Sequence, residues 1–231
     1  MLRAVIFDFN GVIIDDEPIH FRAMQDAVAR IGIRITEEEY YAQYLPFDDA
    51  RCLRAICANH GVVPAEAEGR RVLEDKSRCY REMLTSRIPL FRGADTLIRR
   101  LASRLPLAIA SGARRQEIEQ ALGEADLRSC FRVIVAAEDF THGKPDPESF
   151  LFALDRLNAT LGDSARPVRP AECVVIEDSV GGVQGARAAG MVCVAVTNSY
   201  PRGKLAEAHR VVDSLDEISP ENLAALFEVS R

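Results

Sequence analysis

The sequence predicts an α/β protein: a three-layer, Rossmann-like parallel sheet core with an all-helical module inserted into it. Three observations carry this. Apolar stretches without alternation recur along the chain, as strands covered on both faces do. Helical patterns separate them, the rhythm of parallel β-α-β units. Residues 17–87 break that rhythm and contain no convincing strand.

The first strand is AVIFDF (4–9), followed by LAIAS (107–111), CVVIED (173–178) and VCVAV (192–196), with a weaker strand at RVIVA (132–136). Helical patterns cover 94–104, 113–122, 147–159 and 180–189. The inserted region reads as helices near 17–31, 36–43, 48–59 and 65–85, with Thr36 and Glu39 spaced as a capping box. SRIPLFRG (86–93), with Pro89 and Gly93, carries the chain back. The expected domains are therefore a core of 1–15 with 88–231, and a helical cap of 16–87.

A length of 231 residues suits one large domain or two modest ones, and 48% apolar with 28% charged residues is ordinary for a globular protein. The net charge of −6 gives no electrostatic reason to expect nucleic acid or an anionic membrane as a partner. Six cysteines (52, 57, 79, 130, 173 and 193) form no C-x-x-C pair, and Cys173 and Cys193 fall in apolar strands. The apolar run before Asp8 is far too short for a signal peptide, and no window approaches a membrane span. A cytoplasmic protein with reduced thiols is expected. Oligomeric state is left open and a monomer favoured, because no helix carries a long heptad pattern.

In open parallel sheets, ligands bind beyond the carboxyl ends of the strands. Asp8, Asn10 and Gly11 follow the first strand, Ser111 and Gly112 the second, and Glu177 and Asp178 close a later one, while HGKPDPESF (142–150) precedes that later strand. Each piece has an ordinary structural reading. A carboxylate after a strand caps the next helix, Glu177 and Asp178 could cap the helix opening at Ser179, and Lys144 could be a solvated loop lysine. Together, though, the strand ends supply a nucleophile, a hydroxyl donor, a cation and magnesium ligands.

DFNGV (8–12), SG (111–112), GKPDP (143–147) and EDS (177–179), in this order, resemble the haloacid dehalogenase superfamily. The resemblance is to the branch of sugar-phosphate phosphatases and phosphoglucomutases with a small helical cap, and DDEPIH (15–20) is similar to its D-S-E-P-x-H stretch. The resemblance implies that Asp8 attacks phosphorus and forms an aspartyl phosphate, which is readily hydrolysed. It implies Mg2+ held by the Asp8 side chain, the Asn10 backbone carbonyl and Asp178, with Glu177 in support, a donor set that suits magnesium. Ser111 and the Gly112 amide would hold phosphate oxygens, and Lys144 would pair with phosphate and nucleophile. A cap of this kind closes over the site, and Glu17, His20 and Lys76 are its candidates for contacting substrate.

The chain departs from the family pattern at Asn10, where hydrolytic relatives have a second aspartate that shuttles a proton. An amide cannot do so at neutral pH. Three readings follow: Asp15 or Asp16 substitutes as the acid, the Asn10–Gly11 pair deamidates to restore it, or transfer to water is no longer the task. The expected function is a Mg2+-dependent phosphatase-like hydrolase acting on a small phosphorylated metabolite, a sugar phosphate foremost, slowed at Asn10. The alternatives are a sugar phosphomutase and a weakened member that binds a phosphorylated ligand. Against the mutase, LPFDDARCL (45–53) holds Arg51 out of register with the mutases' serine–arginine motif. Against a dehalogenase, Glu177 and Asp178 are acids of the magnesium-dependent kind.

Overall fold

The computed structural model describes residues 1–45, 47–84, 89–162 and 166–228. Pro46, inside the expected cap loop, and residues 85–88, inside the expected return segment, lie outside the described residues. The chain divides into two compact units, Met1–Asp15 with Ile88–Arg231, and Asp16–Arg87.

The larger unit is built on six parallel strands: β1 (Ala4–Phe7), β2 (Leu107–Ala110), β3 (Val133–Val135), β4 (Cys173–Glu177), β5 (Val192–Val196) and β6 (Arg210–Val212). Their order across the sheet is β3-β2-β1-β4-β5-β6. The chain winds outward from β1 to β3, then returns to the other side of β1 and winds outward again. That reversal is the switch point at which doubly wound sheets bind ligands.

Alternation along the strands divides the core in two. Val5 and Phe7 of β1 pack with Leu97, Ile98 and Leu101 of α5 (Ala94–Ala102) and Ile118 and Leu122 of α6 (Arg115–Glu124). Ala4 and Ile6 face the other way, among Phe150, Ala153 and Leu157 of α7 (Glu148–Ala159) and Val183 and Ala186 of α8 (Val180–Ala188). Every residue of β1 is fully buried, so the sheet is covered on both faces and the three-layer expectation holds.

The smaller unit contains α1 (Glu17–Ala29), α2 (Glu37–Gln43), α3 (Asp49–Asn59) and α4 (Glu66–Leu84). It has its own core of Phe21, Met24, Val28, Tyr40, Leu53 and Ile56. Thr36 caps α2 by accepting from the Glu39 amide at 3.1 Å. No helix among the described residues is long and apolar enough to cross a membrane.

Two elements were not expected from the sequence. The β6 strand is three residues long, starts on Arg210 and is only partly buried, so it has no apolar run. The α9 helix (Pro220–Ala225) is six residues long and buries Leu223 against the β1 face.

Candidate active site

The strand register brings distant acids together. Phe7 pairs with Ile176 of β4 and with Ile109 of β2, so these strands end almost level. The next residue, Asp8, continues the ladder by donating its N–H to the Ile176 carbonyl at 2.9 Å. Its carboxylate therefore lies beside the end of β4, where Glu177 and Asp178 stand. One oxygen from each of Asp8, Glu177 and Asp178 lies within 4.8 Å of the others, and all three residues are buried.

Lys144 closes the group. Its ammonium donates to Asp8 Oδ1 and to Glu177 Oε1, the latter at 2.6 Å. The Lys144–Pro145 peptide bond is cis. Glu177 is 0% exposed, and its other oxygen accepts from the Asp178 and Ser179 amides, both at 2.8 Å, and from the Ser179 hydroxyl at 3.0 Å. The Ser179 hydroxyl oxygen in turn accepts from the Gly182 amide, which caps α8. Capping and site are thus one construction.

Charge follows from this packing. Burial lifts the Asp8 carboxyl to about 6 even though Lys144 pulls it down. Burial, then Glu177 and Asp8, push Asp178 well above its ordinary value. For Glu177, burial is outweighed by Lys144 and the two amides, and its pKa falls below the ordinary value. Burial opposes the Lys144 charge, but its two acids hold its pKa above the usual lysine range. Three carboxylates face one ammonium, so a divalent cation suits the remaining negative charge. The all-oxygen donor set favours a hard cation. Opposite oxygens around magnesium lie roughly 4.2 Å apart, so the group needs little closing to hold that ion.

Two glycines allow the acids to approach. Gly11 has φ +76°, and a Cβ there would overlap the Asp178 carboxylate. A Cβ on Gly182 would overlap the Glu177 carboxylate. Gly182→Ala is therefore expected to cost roughly 1–3 kcal/mol of stability as Glu177 is pushed aside. Urea unfolding of the metal-free protein measures it.

Asn10 is half-buried in the turn after β1, where the Phe9 carbonyl accepts from Ile13 and Ile14 and the Gly11 amide donates to the Ile14 carbonyl at 3.0 Å. Ser111 begins the turn after β2. Its amide donates to Val135 at 3.0 Å, and its hydroxyl oxygen accepts from the Ala113 amide at 3.1 Å, with Gly112 between them. Asp8, Asn10, Ser111, Gly112, Lys144, Glu177 and Asp178 all belong to the α/β unit.

Glu17, His20 and Lys76 belong to the helical unit, where internal partners engage them. Glu17 accepts from the Tyr40 hydroxyl at 2.8 Å. Lys76 is only 2% exposed, and its ammonium lies 2.7 Å from Asp49 and 2.5 Å from His20 Nδ1. A lysine ammonium only donates, so Nδ1 is the acceptor, and Nε2–H donates to Asp16 Oδ2 at 3.1 Å. The Tyr80 hydroxyl donates to the same Asp16 oxygen at 2.6 Å.

Sequence reasoning missed two site residues, Asn198 and Ser199, in the turn after β5. The Ser199 hydroxyl donates to Asp178 Oδ2, and Asn198 Nδ2 donates to the Gly11 carbonyl at 2.7 Å. The strand-end rule points to TNS (197–199) as it points to SG after β2.

The chain is similar over most of its length to proteins of known activity. A phosphorylated carbohydrates phosphatase of Thermotoga maritima is 32% identical over 205 residues, covering 88% of this chain and 89% of that protein. A fructose-1-phosphate phosphatase of Escherichia coli is 29% identical over 83% of this chain and 95% of its own length. The fold is shared with the crystal structure of beta-phosphoglucomutase from Clostridium difficile, with a TM-score of 0.80 at 24% identity over 99% of this chain and 98% of the other. The family model for haloacid dehalogenase-like hydrolases matches residues 2–190, and to that family the chain belongs.

Proposed function

We propose that this hydrolase is a Mg2+-dependent phosphatase acting through Asp8 on a small phosphorylated metabolite, with sugar phosphates the foremost class. The observation that carries the reading is the buried group of Asp8, Lys144, Glu177 and Asp178 at the switch point of the sheet. The names of the two relatives support the substrate class.

Asp8 and Asp178 would hold the ion with the Asn10 backbone carbonyl, while Glu177, already accepting from Lys144 and two amides, would support them from behind. The bound ion would neutralise phosphate charge and draw electron density from phosphorus. An Asp8 oxygen attacks phosphorus as the ester P–O bond breaks, and the leaving oxygen takes a proton from water. Ser111 and the Gly112 amide donate to the phosphate oxygens. Lys144 offsets the repulsion between Asp8 and the incoming anion. Water then attacks the aspartyl phosphate, releasing inorganic phosphate and regenerating Asp8.

Asn10 can donate a hydrogen bond to the leaving oxygen but cannot give it a proton. Deamidation needs the Gly11 nitrogen to attack the Asn10 side chain, and that N–H is held by the Ile14 carbonyl, which argues for a persistent amide. Asn10 also favours the second reading, a protein that binds a phosphorylated ligand and turns it over slowly or not at all. Under either reading it works in the cytoplasm, where its six free cysteines stay reduced.

Phosphate release from a panel of sugar phosphates and acyl phosphates tests the first reading. Activity with Mg2+, abolished by EDTA and restored by added Mg2+, is the expected result. Turnover of the panel unaffected by EDTA overturns metal dependence, and inertness throughout favours the binder.

A further inference from the structure

We propose that Ser199 is a positioning residue for the cation site and that Asn198 braces the same loop, an inference resting on the Mg2+-dependent reading above. Asp178 follows β4 in a turn, and among the described residues one of its oxygens is tied by a side chain: Oδ2 accepts from the Ser199 hydroxyl. That bond fixes the orientation of the carboxylate and leaves Oδ1 as the oxygen for a cation. An outer hydrogen bond of this kind holds a ligand in the geometry that the ion requires, which lowers the reorganisation needed on binding.

Asn198 acts on the other side of the same site. Its side-chain amide donates to the Gly11 carbonyl at 2.7 Å, in the turn that carries Asp8 and Asn10. The turn after β5 thereby joins the two ligand-bearing turns, after β1 and after β4. Gly11 is the meeting point, since a Cβ built on it would come within 3.0 Å of Ser199 Oγ as well as striking Asp178. Ser199 and Asn198 are adjacent in sequence and contact different turns, so a single loop ties the turn that follows Asp8 to the Asp178 carboxylate.

Calorimetric Mg2+ titration of the full chain is the test, alongside thermal unfolding in EDTA. Ser199→Ala is expected to weaken Mg2+ binding by about 10-fold or more. Ser199→Thr, which keeps the hydroxyl, retains the affinity of the unmodified protein. Asn198→Ala gives a smaller loss in the same direction. All three unfold in EDTA at the same midpoint as the unmodified protein. Ser199→Ala binding Mg2+ with unchanged affinity overturns the proposal and leaves the Mg2+-dependent reading intact. Weakened binding with a lowered EDTA midpoint, and no rescue by Ser199→Thr, reduces Ser199 to a structural part and also overturns it. Asn198→Ala with unchanged affinity removes Asn198 from the proposal. If the unmodified protein takes up no Mg2+, the Mg2+-dependent reading falls and the proposal with it.

Discussion

Asn10→Asp is expected to raise phosphate release from sugar phosphates by roughly 10²–10⁴-fold, the usual worth of a general acid–base and about 3–5 kcal/mol of barrier. Under the proposed mechanism the asparagine would polarise the leaving oxygen without protonating it, and it could not take the proton of the water that attacks the aspartyl phosphate. The gain depends on the leaving group. A sugar alkoxide leaving phosphorus needs the proton badly, whereas the weakly basic carboxylate that leaves phosphorus in an acyl phosphate does not, so the first step with acyl phosphates gains least. The second step gains with every substrate. Intact mass spectrometry under turnover is thus expected to show a phosphorylated form in the unmodified protein that disappears in Asn10→Asp. An unchanged rate means that another group supplies the proton, and Asp15 and Asp16 are the next residues to replace.

Asp8→Asn is expected to lower turnover by on the order of 10⁴-fold or more, because an amide oxygen cannot attack phosphorus and no covalent intermediate forms. The same change is expected to stabilise the metal-free protein. Burial lifts the Asp8 carboxyl from 3.8 to about 6 in the folded state. The folded protein therefore holds that proton more tightly than the unfolded chain. Stability attributable to this group falls as pH rises from about 4 to about 6, and the deficit is complete above that window. A neutral amide has no such deficit. Thermal unfolding in EDTA should show Asp8→Asn gaining on the parent as pH increases through 6, then holding a constant advantage. A lower midpoint at pH 8 would mean that pairing with Lys144 outweighs burial.

Much of this was legible in the sequence. The β1, β2 and β5 strands are unbroken apolar runs, as β4 is up to Glu177, because both faces are covered, and the polar residues that end β1, β2 and β4 stay buried by hydrogen bonding where the ladders stop. Strand ends were set one or two residues too long: β1 stops at Phe7 and β2 at Ala110. Asp8 and Ser111 still donate to neighbouring strands, so the polar boundary lags behind the ladder's end. The β6 strand was illegible because three half-buried residues carry no period. Convergence of Asp8, Glu177 and Asp178 follows from neighbouring strand ends, whereas Lys144, in the loop after β3, was expected to join them from the family resemblance. The bonds around Lys76 were not, since Asp49 and His20 reach it across long sequence separations that no local pattern encodes. Ser199 stands after β5, a strand end to which the rule was not carried, although small polar residues close it as they close β2.

The strand order has a consequence for synthesis. With β1 between β2 and β4, the first strand is translated long before one of its edges can find its mate, Cys173–Ile176. Throughout that interval a wholly apolar segment presents open backbone groups to the cell, the kind of edge that invites wrong pairing. No partial product ending before Asp178 contains both halves of the acidic cluster. The acidic cluster is therefore assembled late, when the fourth strand docks, and its Ser199 contact later still, once β5 has followed.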